Sequence, residues 1–125
     1  MDLRDKVTII TGGSGGLGMA AAKAFLAKGA KVAIFDLQEG DARALAESHP
    51  GQVKYYETNV TSEENVATNI NQVVADFGAI DVCINCAGFG PSAKTYSSRN
   101  GPHPLDLLQN VINVNLVRTC NVLRI

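Results

Sequence analysis

A short apolar, β-branched run, Val7–Thr11, passes through Gly12-Gly13-Ser14-Gly15-Gly16 straight into a segment of helical periodicity. Leu17, Ala20, Ala21, Ala24, Phe25 and Lys28 recur at that spacing, and Gly29 supplies a stop. A strand that turns this tightly into a helix constrains the fold more than anything else in the chain. The helix must lie back across its own strand, and glycines let the turn close.

The same unit recurs. Lys31–Asp36 reads as a second strand, and residues 41–48 as a small helix ending at Pro50-Gly51. Residues 53–58 follow as a third strand. Thr61-Ser62-Glu63-Glu64 predicts a capping box, with Thr61 as the cap and Glu64 three residues on. Val66, Ile70, Val73, Val74 and Phe77 line one face of the helix behind it. Residues 80–85 form a fourth strand, and residues 88–104 are rich in Gly, Pro and Ser without usable periodicity. Residues 105–125 are helical and apolar on two faces, Leu105, Leu108, Ile112, Leu116 and Leu123 forming one stripe and Leu107, Val111, Val114 and Val122 another. A surface helix needs one, so the second should be buried against something outside this sheet unit. Alternation of this kind predicts parallel strands joined by crossover helices, an α/β doubly wound sheet in the order 3-2-1-4. One domain covers residues 1–125, with no interdomain linker.

Eleven Lys+Arg against twelve Asp+Glu give no basic excess, which argues against a nucleic-acid binder. No apolar run is long enough to span a bilayer. The residues ahead of the first strand, 1–6, are too few for a targeting segment. Three cysteines make no disulfide framework. The expected setting is intracellular, cytoplasmic or in the mitochondrial matrix.

At a strand-to-helix turn, free helix N–H groups and the helix dipole favour an anion, so the loop is where a dinucleotide pyrophosphate would sit. Gly12 permits the turn, Gly16 lets the backbone approach phosphate, and Gly18 lets helix and strand pack together. Glycine-rich turns without a ligand are also common, and Asp36 shifts the balance. It ends the second strand, where an acid accepts hydrogen bonds from an adenosine ribose and repels a 2′-phosphate. Leu37 and Gln38 follow, with no cation among them, so NAD is favoured over NADP. The competing role for Asp36 is to cap the next helix.

Taken in order, Thr11–Gly18, Asn85-Cys86-Ala87-Gly88 and Asn113-Val114-Asn115-Leu116 resemble the motifs of the short-chain dehydrogenase/reductase family. The resemblance covers the whole chain and implies a Rossmann-type sheet, truncated here after the fourth strand and its following helix. It implies that Gly12, Ser14, Gly15, Gly16, Leu17 and Gly18 surround the pyrophosphate of NAD and that Asp36 holds the ribose. Asn59 and Val60 stand where the family has Asp-Val against the adenine. Asn59 departs from that pattern, keeping an acceptor without the charge. Cys86, Ala87 and Gly88 would floor the cofactor, and Asn115 matches the helix Asn that holds a water in the proton relay. Ser92-Ala93-Lys94-Thr95-Tyr96, together with Cys86, resembles a branch acting on 3-hydroxyacyl-CoA and hydroxysteroid substrates. Contact with the same helix of a second subunit, in a dimer or tetramer, is also implied.

Asn115 carries an argument of its own. It lies among Ile112, Val114, Leu116 and Val117, and a buried amide is costly unless paired, so it serves a site or is satisfied by nearby backbone. Cys83 and Cys86 form a CxxC, but residues three apart in a strand face opposite ways, so no metal is expected. His49, His103 and Asp81 have no evident catalytic partner.

The family's chemistry needs a Ser on the next strand and a Tyr-x-x-x-Lys on the next helix. Tyr55, Tyr56 and Tyr96 are followed four residues on by Asn59, Val60 and Asn100. The expectation is therefore an NAD-dependent oxidoreductase acting on a small-molecule secondary alcohol or ketone, represented here by its cofactor half and inactive by itself. The alternatives are a non-catalytic nucleotide-binding or interaction module and a 3-oxoacyl carrier-protein reductase. Asp36 argues against the reductase, since biosynthetic reductases mostly use NADPH.

Overall fold

In the computed structural model, which describes residues 1–92 and 94–125, β1 (Val7–Thr11) is buried at all five positions. It lies between β2 (Lys31–Asp36) and β4 (Val82–Asn85), while β3 (Val53–Glu57) flanks β2, giving the order β3-β2-β1-β4. Every pairing in this sheet is parallel. A parallel strand covered on both faces reads as a continuous apolar run, which is how β1 and β2 read.

Side chains alternate between two helical layers. Ile10, Val32 and Ile34 pack with Met19 and Leu26 of α1 (Gly16–Ala27) and with Ala42 and Leu45 of α2 (Ala42–Ser48). Val7, Ile9, Ala33 and Phe35 pack on the other face with Tyr56 and with Val73 of α3 (Glu63–Phe77). The chain forms a doubly wound, Rossmann-type sheet. Its registers bring Thr11 beside Phe35 and Asn85, and Asp36 beside Glu57, so the carboxyl ends of all four strands share one edge. Strand order reverses at β1, and a crevice opens there by construction.

Several boundaries differ from expectation. α3 is capped by Ser62, whose Oγ accepts the Asn65 N–H at 3.2 Å. Thr61 instead donates its own N–H to the Asn59 side-chain oxygen at 3.0 Å, so it belongs to the turn before the helix. Residues 88–104 carry a small antiparallel hairpin, β5 (Tyr96–Ser97) with β6 (Gly101–Pro102). Ala93 of the 92–96 motif lies outside the described residues.

The terminal helix is also not uniform: α4 (Leu105–Ile112) and α5 (Arg118–Arg124) are joined by a π-helical segment, Asn113–Val117. Val122 packs with Val60 and Val66, and Asn121 donates to the Val60 carbonyl at 3.2 Å. The exposed stripe is Leu105, Leu108, Ile112, Leu116 and Leu123. Val122, on the stripe expected to be buried outside this sheet unit, is core instead. Among the described residues no helix is long and apolar enough to cross a membrane.

Candidate functional site

The turn from β1 into α1 closes because Gly12 adopts φ +65°, and a Cβ there would stand 2.8 Å from the Ala87 nitrogen. Gly18 is tighter, since a Cβ would lie 2.1 Å from the Gly12 carbonyl oxygen. Helix and strand therefore meet backbone to backbone at this point. Gly15 and Gly16 differ, because a Cβ on either would meet nothing within 4 Å. Beyond them lies a cleft of about 580 Å³.

Of the residues expected at a cofactor site, Gly12, Gly15, Gly16, Leu17, Gly18, Asp36, Val60, Cys86, Ala87 and Gly88 line this cleft. Gly15 caps α1 without any side-chain hydrogen bond, and the first turn holds no acid. The N–H groups of a helix's first turn lack intrahelical partners, so this end offers donors and a partial positive charge. Ser14 sits just behind the lining. Its Oγ is buried without a hydrogen-bond partner among the described residues, an unmet polar group of the kind a ligand oxygen satisfies.

Asp36 faces the loop. One carboxylate oxygen accepts the Ser14 N–H at 3.1 Å, and the other accepts the Leu37 N–H at 2.8 Å. Its backbone carbonyl accepts the Tyr55 hydroxyl at 3.0 Å, and burial pushes the Tyr55 pKa up. On the opposite wall, Thr11 joins the loop to the segment after β4. Its carbonyl accepts the Cys86 N–H at 3.1 Å, and its hydroxyl accepts the Ala87 N–H at 3.2 Å.

Asn59 and Asn115 lie outside the lining. The Asn59 side-chain oxygen is taken by the Thr61 N–H and hydroxyl, because a short amide at a helix entrance closes a local turn. Asn115 is exposed, where the apolar residues around it had implied burial. Its carboxamide accepts the Phe89 N–H and donates to the Phe89 carbonyl, each at 3.0 Å. It clasps one residue's backbone, donor to acceptor, and holds residues 86–89 against the terminal helix. A Cβ on Gly88 would lie 3.2 Å from the Asn115 oxygen, so little room separates them.

Phe35, Leu37, Thr58, Phe89, Val114 and Arg118 also line the cleft and were not singled out from sequence. Phe35 and Thr58 look like ordinary strand-end residues. Arg118 is one of three charged residues in the terminal helix, with Asp106 and Arg124, and nothing in the sequence sets it apart from them. The cysteines behave as expected, Cys83 packing toward Val60 and Val66 while Cys86 packs toward Ile10. Burial pushes the Cys83 thiol up. Among the described residues no cluster of His, Cys, Asp and Glu could hold a metal.

A glycine turn under a helix end, an acid bound to it from the neighbouring strand, and a crevice at the reversal of strand order define a Rossmann-type α/β domain. The short chain dehydrogenase family model matches residues 6–125, and the chain belongs to that family. It is 39% identical over 120 residues to the 3-hydroxyacyl-CoA dehydrogenase type-2 of Rattus norvegicus, covering 95% of this chain and 46% of that protein. Against the Homo sapiens protein of the same name identity is 38%, with the same coverage. The L-fucose dehydrogenase of Mus musculus is 32% identical over 96% of this chain and 42% of its own length. A crystal structure of a short chain dehydrogenase from Mycobacterium smegmatis superposes with a TM-score of 0.87. It shares 30% identity over 98% of this chain and 51% of that one. The chain spans about half the length of the curated relatives it matches.

Proposed function

We propose that this chain is the cofactor-binding half of an NAD-dependent oxidoreductase that interconverts a secondary alcohol and a ketone, with a 3-hydroxyacyl-CoA or a hydroxysteroid as substrate. The observation that carries the reading is the Asp36 carboxylate bound to the Ser14 N–H, 3.1 Å away, at the rim of the glycine-loop cleft. Bound NAD supplies the hydride acceptor at its nicotinamide ring, and its reduced form the donor.

The remaining steps belong to this chain's residues. The uncapped start of α1 and the open faces of Gly15 and Gly16 receive the pyrophosphate, with the unpartnered Ser14 hydroxyl just behind them. Asp36 uses its remaining lone pairs on ribose hydroxyls, and its charge disfavours a 2′-phosphate. Cys86, Ala87 and Gly88 floor the cleft, held there by Thr11 and by Asn115 through Phe89. Asn115 keeps one N–H and one lone pair for a water of the proton relay.

Tyr55 and Tyr56 spend their hydroxyls on the Asp36 carbonyl and the Asp76 carboxylate. Neither is free to act as the proton donor, and Tyr96 has Asn100 rather than a Lys four residues on, so the 125-residue chain is expected to bind cofactor without turning over substrate. Calorimetric titration with NAD and NADP tests the first half, with NAD binding at least tenfold tighter. Equal affinities would remove the Asp36 argument. Incubation of the verified 125-residue chain with NAD and 3-hydroxybutyryl-CoA tests the second, with no NADH formed.

A further inference from the structure

Among the described residues, Thr8 Oγ1, Ser14 Oγ and Arg118 Nε are buried side-chain polar atoms without a hydrogen-bond partner. Thr8 lies inside the sheet, and Ser14 lies under the loop already discussed. Arg118 is different because it is charged. It opens α5 immediately after the π-helical segment, and local changes of helical pitch redirect the side chains that follow them. It is the one Lys or Arg lining the glycine-loop cleft, and no carboxylate pairs with it among the described residues. Burial holds its pKa below the usual guanidinium value.

Its location narrows the ligand group it serves. Arg118 also borders the adjoining cavity, which Val60 and Thr61 line and no glycine does, so it sits at the Val60 side of the cleft. Val60 and Val114 give that part of the cleft apolar walls. Phosphate seeks converging donors, and the glycine loop provides those elsewhere. Apolar walls with a single planar, multi-donor cation suit a flat heterocycle that has ring-nitrogen acceptors.

We propose that Arg118 recognises the purine base of the cofactor, donating from its guanidinium to a ring nitrogen while Val60 and Val114 flank the base. The residue is a specificity determinant for adenine and takes no part in hydride transfer. The inference rests on the dinucleotide reading of the cleft.

The test is calorimetric titration of the intact protein and of its Arg118→Leu and Arg118→Lys variants with AMP, nicotinamide mononucleotide, NAD and NADP. Arg118→Leu should weaken AMP and NAD about tenfold (about 1.4 kcal/mol) and leave nicotinamide mononucleotide within about twofold. Arg118→Lys keeps the charge but loses the planar fork, and should lose about threefold on AMP. Should the Leu variant not fold, the contrast between AMP and nicotinamide mononucleotide in the Lys variant decides. Equal losses on the two mononucleotides would assign Arg118 to phosphate and overturn the proposal. So would a loss confined to NADP, which would assign it to the 2′-phosphate, and so would unchanged AMP binding. If the unmodified protein binds neither AMP nor NAD, the dinucleotide reading fails and this proposal with it. Normal NAD binding that ignores Arg118 removes this proposal alone.

Discussion

The Asp36 carboxylate, at the end of β2, accepts the Ser14 N–H of the glycine loop at 3.1 Å, so the acid proposed to read a ribose also fixes the loop proposed to hold phosphate. Its effects on affinity and on cofactor choice are therefore separable by substitution. Asp36→Asn keeps one acceptor oxygen, enough for the Ser14 N–H but not for the Leu37 N–H as well, and removes the charge. It should cut the NAD-to-NADP affinity ratio about tenfold at a stability cost of about 1 kcal/mol. Asp36→Ala loses the loop contact as well and should weaken both cofactors. Adding Leu37→Arg to it should bring NADP binding above NAD. Titrations of the three proteins with both cofactors check the order. A ratio unchanged in Asp36→Asn would mean the charge does not discriminate.

The glycines of the loop should divide into structural and ligand-facing positions. A Cβ at Gly18 would sit 2.1 Å from the Gly12 carbonyl oxygen, so Gly18→Ala forces the helix off its strand. Overpacking of this kind costs about 1–3 kcal/mol or more, and thermal melting should show it. At Gly15 φ is −165°, an extended value open to any residue, and a Cβ meets nothing within 4 Å. Gly15→Ala should keep the melting temperature and still weaken NAD, because the methyl group enters the space assigned to phosphate. An unstable Gly15→Ala, or one with full affinity, would contradict that assignment.

These glycines also show what sequence makes legible. The sheet order, the loop and Asp36 were readable because each depends on a short stretch with its own signal: apolar β-branched runs, a glycine turn, an acid at a strand end. The shift of the α3 cap from Thr61 to Ser62 was not, because both hydroxyls suit a cap and the choice turns on Asn59 taking Thr61 first. Asn115 was legible as important and misplaced as buried, since apolar neighbours along a helix do not reveal which side meets solvent. The π-helical segment has no such signal. Arg118, which follows that segment directly, lines the cleft.

Asp76 should govern part of the acid sensitivity of the fold. One of its oxygens accepts the Lys54 ammonium and the Tyr56 hydroxyl, each at 2.6 Å, and the other accepts from Gln72 at 3.1 Å. The Lys54 hydrogen bond first, then those from Tyr56 and Gln72, lower its pKa to about 2. A carboxyl depressed in the fold binds its proton more readily when unfolded. Its stabilisation is thus complete above the unfolded pKa of about 3.9, and is lost as pH falls toward the folded value. Urea denaturation across pH 7 to 2 should show Asp76→Asn less stable than the parent at neutral pH. The two curves should converge between about pH 4 and pH 2. A constant gap over that range would show that the carboxylate charge is not what Lys54 and Tyr56 stabilise.

The exposed stripe of the terminal helix raises the question of what it packs against. Leu105, Leu108, Ile112, Leu116 and Leu123 are between 45% and 66% exposed, while Val122 is 5% exposed beside Val60 and Val66. A surface helix needs one apolar face, and this one already spends Val122 on the core. We propose that the exposed stripe packs on the same helix of a second copy, forming a dimer or a tetramer. Burying such side chains contributes roughly 1.5–3 kcal/mol each before entropy costs, so three or four suffice to hold two subunits together. Val122→Asp should unfold the protein in any assembly and says nothing about subunits. Ile112→Asp with Leu116→Asp is the informative pair. At a subunit contact these charges should release folded, soluble monomers, seen as a halved or quartered mass in sedimentation with an unchanged circular dichroism spectrum. If the stripe is covered within one chain, the same pair should lower the melting temperature steeply without yielding a folded smaller species. An intact parent protein that sediments as a monomer at micromolar concentration would reject the subunit contact outright.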